Sequence, residues 1–496
     1  MIQFAIESNK RFWHDCCMAV SVNESTAVRK NFTTGQRRPT AYMAVGRLFY
    51  FLNRSFLAGE LKMDSQTNET SNSEKVIVAE QSPEHNGRRE FMKQTGAILG
   101  VAGIMSMVPM GTRSAAWAGG SDAPELKEVK VGFIPLTDCA SVVIASVMKF
   151  DEKYGIKIIP SKEASWAAVR DKLVNGELNA AHVLYGLVYG VQLGIGGQQK
   201  DMAVLMNINN NGQAITLSSQ LKDKGVTDGT SLKKLVVSEK RDYTFAQTFP
   251  TGTHAMWLYY WLASHDINPL NDVKTITVPP PQMVANMRVG NMDGFCVGEP
   301  WGNRAIFDKI GFTAITTQDI WKDHPEKVLG TTAEFTQKYP NTARALTMAV
   351  LEASKYIDDM ANRRKVSEII ADKAYVNCPV EVIDQRFEGK YEDGLGKKWN
   401  DPNYMKFCND GAVNFPYLSD GMWFLTQHKR WGLLKTDPDY LAVAKKINQI
   451  ELYKQAASQV KVSIPKDVMR TSKLIDGTVW DGKDPKKYAA SFKVRA

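Results

Sequence analysis

The 496 residues contain no Gly-x-x-x-x-Gly-Lys-Ser/Thr loop, so the chain carries no nucleotide-phosphate cradle of that kind. A dinucleotide fingerprint is missing as well. The nearest glycine cluster, Gly194-Ile195-Gly196-Gly197, lacks the Gly-x-Gly-x-x-Gly spacing. Neither a Gly-x-Ser-x-Gly elbow nor a His-Glu-x-x-His pair occurs. Histidine is scarce, seven in all, and His14 and His85 fall within the first 118 residues. The six cysteines form no Cys-x-x-Cys pair and no metal-ligand spacing, which weighs against a zinc site or a redox motif. A Cys378–Cys408 disulfide and buried free thiols stay open as alternatives. Dense Lys/Arg blocks are absent too. Of the 62 basic and 53 acidic residues, positions 1–118 hold 14 and 10, so the net charge of +9 partly belongs to the start of the chain. Together these absences predict a protein that is not an enzyme, has no cofactor or metal, and binds no nucleic acid.

What is present begins with a leader. Gly87-Arg88-Arg89-Glu90-Phe91-Met92-Lys93 is followed by a weakly apolar stretch from Thr95 to Gly111 and a small-x-small site, Ala116-Trp117-Ala118. The stretch is too short and glycine-rich to span roughly 30 Å of hydrocarbon. This arrangement resembles a twin-arginine export signal, with Arg88 and Arg89 as its paired arginines and cleavage after Ala118. The expected location is the periplasm, soluble or peripherally associated with the inner membrane. Residues 63–118 form the signal region, and 1–62 read as an unstructured upstream extension.

From Glu128 onward short β-rich runs alternate with helical ones. Strands are predicted at Val129–Ile134, Ile156–Ile159, Ala180–Leu184, Ala214–Ser218, Lys234–Ser238, Val273–Val278 and Gly294–Val297. Helices are predicted at Asp138–Lys153 with Asp138 as cap, Trp166–Val174, Thr251–Ala263 and Gln282–Val289. Beyond these lie longer helices at Asn341–Met360, Arg363–Ala374 and Asp437–Ala457. The alternation implies an α/β fold with a largely parallel sheet. There is too much of it for one ordinary sheet, and no Gly- or Ser-rich linker divides it. Two α/β domains joined by a hinge are therefore expected, with 119–220 and 328–496 as domain I, 221–327 as domain II, and a helix-rich C-terminal part. Ligands in such folds sit beyond the carboxyl ends of strands, so the loops at 135–140, 161–166, 207–213, 247–254, 278–283, 298–302 and 323–331 are of interest.

Four of these segments carry a family resemblance. Phe249-Pro250-Thr251-Gly252-Thr253-His254, Val278-Pro279-Pro280-Pro281-Gln282-Met283, Gly294-Phe295-Cys296-Val297-Gly298-Glu299-Pro300-Trp301 and His324-Pro325-Glu326-Lys327-Val328-Leu329-Gly330 closely resemble the nitrate/bicarbonate branch of periplasmic binding proteins. The resemblance runs from about Val129 to Val460. It implies a type II clam-shell that closes on an anion and delivers it to a membrane permease with attached ATPase subunits, as a monomer. It also implies a ligand set of Trp166, Gln213, His254 and Lys327. In bicarbonate-binding relatives the last position looks like an acidic residue that helps to hold calcium. Lysine there points instead to nitrate, or nitrite, as the ligand.

Elementary chemistry supports those residue types. Nitrate is planar, monovalent and weakly basic, so a site for it needs one positive charge, a few N–H donors and water-excluding walls. An ammonium at Lys327, neutral donors at Gln213 and His254, and the Trp166 indole supply them. The helix expected from Thr251 aims its positive end at the same region. Three alternatives are weighed: a cytoplasmic nitrate sensor of the same fold, against which the leader speaks; a bicarbonate- or sulfonate-binding protein; and a related pyrimidine-synthesis enzyme, whose cysteine-rich metal motif is missing here.

Overall fold

The computed structural model describes residues 122–239 and 241–496. The upstream extension, the signal region with Arg88 and Arg89, and the cleavage site lie outside the described residues.

Two five-stranded sheets organise the described chain. The first has the order β2-β1-β3-β10-β4, built from β1 (Glu128–Phe133), β2 (Lys157–Lys162), β3 (Ala180–Leu184), β4 (Met202–Asn207) and β10 (Lys327–Thr332). The second has the order β7-β6-β8-β5-β9, from β5 (Gln213–Ser218), β6 (Thr244–Gln247), β7 (Lys274–Thr277), β8 (Gly294–Gly298) and β9 (Gly311–Thr316). This is the α/β, two-lobed architecture that the resemblance implied.

Each sheet is largely parallel with one exception. Four of the five strands run in the same direction, and the strand in the fourth position is antiparallel to both neighbours: β10 between β3 and β4, β5 between β8 and β9. The reason lies in the connections. β5 and β10 are the strands that enter a sheet directly from the other one, so no helical crossover turns them to match. Residues 208–212 lead into β5 and 317–326 lead into β10. The two crossings are laced to each other by backbone hydrogen bonds, Ile208 N to Lys327 O, Glu326 N to Asn209 O and Asn211 N to His324 O. In the outgoing crossing Asn211 and Gly212 take left-handed φ values of 62° and 87°, which Asn and Gly tolerate best. By strand pairing, β5 belongs to the second sheet although the expected boundary at 220 lies beyond it, and Lys327 opens a strand of the first.

Several predicted elements change. Lys234–Ser238 is not a strand but the end of a helix, Gly229–Ser238, started by a capping box between Asp228 and Ser231. Asp138 caps nothing: a short 3-10 turn (Thr137–Cys139) precedes helix α1 (Ala140–Val147), and the Asp138 carboxylate points into the interior. Residues 327–331, expected as loop, are most of β10. Asp437–Ala457 divides into Tyr440–Ile447 and Ile450–Gln459 at Asn448, whose amide donates to the Tyr185 hydroxyl and the Pro416 carbonyl.

Further helices position the site: α2 (Trp166–Val174), α3 (Tyr185–Gln192), α4 (Thr253–Ser264), α5 (Pro340–Asp358) and α6 (Leu418–Arg430). Helix α5 buries an apolar stripe against α1, and α6 packs on both α3 and α4. Trp257 of α4 stacks on Trp423 of α6 at 4.9 Å and meets Trp321 edge-on at 5.9 Å. That aromatic cluster braces α4 from behind. Cys139, Cys296, Cys378 and Cys408 are buried free thiols, so Cys378 and Cys408 are not joined. Among the described residues no helix is long and apolar enough to cross a membrane.

Candidate functional site

Both crossing strands begin at the carboxyl edge of the sheet they enter, and each begins with a predicted ligand residue. Lys327 is the first residue of β10, paired with Leu184 at the end of β3. Gln213 is the first residue of β5, paired with Gly298 at the end of β8. Fold topology thus delivers both to the place where ligands sit in such sheets.

Lys327 is fully buried. Its Nζ donates to Asp138 Oδ2 at 2.8 Å and to Glu326 Oε1 at 2.6 Å. Burial pulls the ammonium pKa down, but the two carboxylates outweigh it and leave the pKa above its ordinary value. Asp138 also faces His182 Nε2 at 2.6 Å. Burial would raise both carboxyls, and it is overcome by Lys327 and His182 at Asp138, and by Lys327 and His254 at Glu326. Both therefore lie below the usual carboxylate range.

Glu326 ties the cluster to helix α4. It accepts from Thr253 Oγ1 at 2.6 Å and from Trp257 Nε1 at 3.1 Å. His254, on the same first turn, places Nδ1 2.6 Å from Thr248 Oγ1 and Nε2 3.2 Å from Glu326 Oε1. The second contact has ion-pair distance without hydrogen-bond alignment, so Nε2 is left without a well-aimed partner. Burial lowers the His254 pKa more than Glu326 raises it. Helix α4 starts at Gly252, which offers no side-chain cap, and its positive end adds to the local potential.

Trp166 opens α2 because the Ser165 hydroxyl caps that helix by accepting from Ala168 N at 3.2 Å. Its ring centroid lies 5.7 Å from that of His182 and 5.6 Å from Lys327 Nζ. The indole N–H is buried with no acceptor among the described residues, an uncommon state for a buried donor.

Trp166, His254 and Lys327 therefore meet in one cluster. Gln213 is brought close only through its backbone. Its amide donates to Asn211 O at 2.9 Å, and its Oε1 accepts from Thr317 Oγ1 at 3.2 Å. It is not a solvated loop residue, since only 1% of it is exposed. Gly298 closes the gap beside it. A Cβ there would sit 3.4 Å from Asp138 Oδ2 and 3.6 Å from His254 Nε2.

Sequence reasoning missed Asp138, His182, Glu326, Thr248 and Gly298 as members of this cluster. Glu326 was adjacent to a chosen residue, and an unexplained histidine inside the apolar strand Ala180–Leu184 was the available sign for His182. The arrangement offers one cation, a helix N-terminus and unengaged N–H donors, walled by aromatic rings. Its two carboxylates share the ammonium of Lys327.

Residues 122–371 match the NMT1-like family. The nitrate/nitrite binding protein NrtA of Synechocystis sp. is 38% identical over 391 residues, spanning 76% of this chain and 87% of that protein. The bicarbonate-binding protein CmpA of Synechococcus elongatus is 31% identical over 408 residues, 76% of this chain and 89% of that one. The crystal structure of the periplasmic nitrate-binding protein NrtA from Synechocystis covers 75% of this chain and 100% of its own. It superposes with a TM-score of 0.72 at 37% identity. These relatives are binding proteins rather than enzymes, and this chain belongs to the NMT1-like family.

Proposed function

We propose that the chain is the exported substrate-binding subunit of an ATP-driven importer, with nitrate as its ligand and nitrite as the second candidate. The anion is held between the two sheets, against Lys327, by N–H donors from Trp166, His254 and Gln213. It is then released to a permease with attached ATPase subunits, without a chemical step. The location is the periplasm, reached by the twin-arginine route through Arg88 and Arg89. The lobes follow strand pairing, with 122–207 and 327–496 in one and 213–316 in the other, hinged at the two laced crossings.

The single observation that carries this reading is the buried Lys327 ammonium at the carboxyl edge of β3. A monovalent anion is the ligand such a cation favours. A calcium-dependent bicarbonate site would need that position free of a tethered positive charge. Titration calorimetry with nitrate, nitrite, bicarbonate with and without calcium, and taurine tests the assignment. Nitrate is expected to bind in the micromolar range, about −8 kcal/mol. Binding of calcium-bicarbonate or taurine in its place would overturn it.

A further inference from the structure

The charges around Lys327 do not balance. Asp138 and Glu326 face one ammonium, and all three side chains are fully buried. An anion added to this cluster would stand as the third negative charge against one positive charge, in a place water does not reach. Buried charge of that kind is either compensated or excluded.

Three imidazoles could take a compensating proton, and their surroundings separate them. His324 lies between Thr317 Oγ1 at 2.8 Å and the Pro325 carbonyl at 3.1 Å, and its charged neighbours are Glu326, Arg470 and Asp323 rather than Lys327 and Asp138. His182 presents Nε2 to Asp138 Oδ1 at 2.6 Å, but its buried Nδ1 has no acceptor among the described residues. A second N–H on that ring would be stranded. His254 has an oxygen near each nitrogen, Thr248 Oγ1 at 2.6 Å from Nδ1 and, without hydrogen-bond alignment, Glu326 Oε1 at 3.2 Å from Nε2. A neutral ring donates at one nitrogen only, whereas the imidazolium donates at both. The Thr248 hydroxyl can donate or accept, so the pocket of His254 takes a neutral ring or the charged one, whereas that of His182 would strand a second N–H. We propose that His254 takes up a proton from solvent when the anion binds, so that the site accepts an anion and a proton together. This rests on the anion-binding reading above.

The neighbours of His254 are consistent with the coupling. Glu326, Lys327 and Asp138 face it from the other sheet's edge. On β8 the buried Cys296 thiol is pushed well above its ordinary pKa by burial and then by Glu326, and stays neutral. On α6 the buried His428 has Nε2 at 2.9 Å from the Thr251 carbonyl, and burial holds it neutral. As arranged here burial outweighs Glu326 and keeps the His254 ring neutral near pH 7. An anion beside it supplies the extra negative charge that tips the balance. Nitrate, the base of a strong acid, cannot hold the proton itself, so the proton remains on the imidazole.

Calorimetry of the purified protein with nitrate, in buffers of different ionisation enthalpy, tests this. The observed enthalpy should vary linearly with that of the buffer, with a slope of about one proton taken up per anion. Affinity should fall by up to about tenfold per pH unit above neutrality. Nitrogen-15 spectra of the histidine rings should show one ring become imidazolium on nitrate addition, a signal missing from His254→Gln. Buffer-independent enthalpy with flat affinity overturns the proposal. So does proton uptake that survives in His254→Gln and disappears in His182→Gln. Should His254→Gln not fold, ring shifts of the parent protein with and without nitrate still decide the matter. No nitrate binding at any pH would instead overturn the reading beneath it.

Discussion

Lys327 and Asp138 lie 189 positions apart in the chain, yet their charged groups meet at 2.8 Å with both side chains fully buried. Asp138 follows β1 and Lys327 opens β10, so the pair forms only once the returning crossing has placed β10 in the first sheet. The contact therefore ties the correctness of the fold to the chemistry of the site.

Removing the lysine should destabilise the protein. Lys327→Ala leaves Asp138 and Glu326 as buried carboxylates without their cation, a change that costs roughly 3–5 kcal/mol. Adding Asp138→Asn and Glu326→Gln should restore most of that stability while leaving the protein unable to bind nitrate. Urea unfolding of the single and triple variants checks both statements. Parent-like stability in Lys327→Ala would contradict the pairing.

Mild acid should weaken the fold through histidine before the carboxylates titrate. Burial, opposed only by the Thr251 carbonyl, holds His428 down to about 4, and burial opposed by Glu326 holds His324 down to about 4. In the unfolded chain a histidine titrates near about 6.5. A lowered folded-state pKa means that the unfolded chain takes up the proton first. Stability is then fully present above about pH 6.5 and declines as pH falls towards about 4, by roughly 2–3 kcal/mol for each ring. Asp138 and Glu326, with pKa values depressed below the usual range, lose their contribution only below about pH 4. Unfolding measured across this range should show His428→Gln with a shallower decline than the parent. An identical slope would contradict it.

Gly298 should be intolerant of size for reasons of binding, not folding. An added Cβ already comes within 3.3 Å of the Leu136 side chain and 3.4 Å of Asp138 Oδ2. Gly298→Ala should weaken nitrate binding several-fold, and Gly298→Val should remove it, with circular dichroism unchanged. Parent-like affinity in the valine variant would place the ligand elsewhere.

Some of this was legible in the sequence and some was not. The strands β1 and β2 announce themselves by β-branched residues, Val129 and Val131 in one and Ile158 and Ile159 in the other, and α2 follows Ser165, a residue type suited to cap it. Two of the four motifs contain His254 and Lys327, and the resemblance they carry adds Trp166 without knowledge of the fold. Asp138 was misread because an acidic residue before an apolar run is the ordinary sign of a helix cap, and its real partner is a lysine distant in sequence. β10 was hidden for a related cause. His324-Pro325-Glu326-Lys327 looks like a polar loop, and its charges are buried only because they satisfy one another. The mixed direction of the sheets is set by which strand crosses over, a long-range fact that local periodicity does not carry. The break at Asn448 depends on Tyr185, far away on α3.

Export should depend on the paired arginines. With Arg88 and Arg89 replaced by Lys, the full-length precursor should stay in the cytoplasm, while the parent appears in the periplasm cleaved after Ala118. Immunoblots of cell fractions read this directly, and periplasmic product from the double variant would contradict the twin-arginine route.

The central claim is that Lys327 selects the ligand, and titration of the parent and Lys327→Glu with nitrate tests it most directly. The parent should bind in the micromolar range, about −8 kcal/mol. The variant replaces the cation with a third buried carboxylate and should show no nitrate binding at millimolar ligand, a loss of at least about 4 kcal/mol. Nitrate bound by Lys327→Glu with the affinity of the parent would contradict the account.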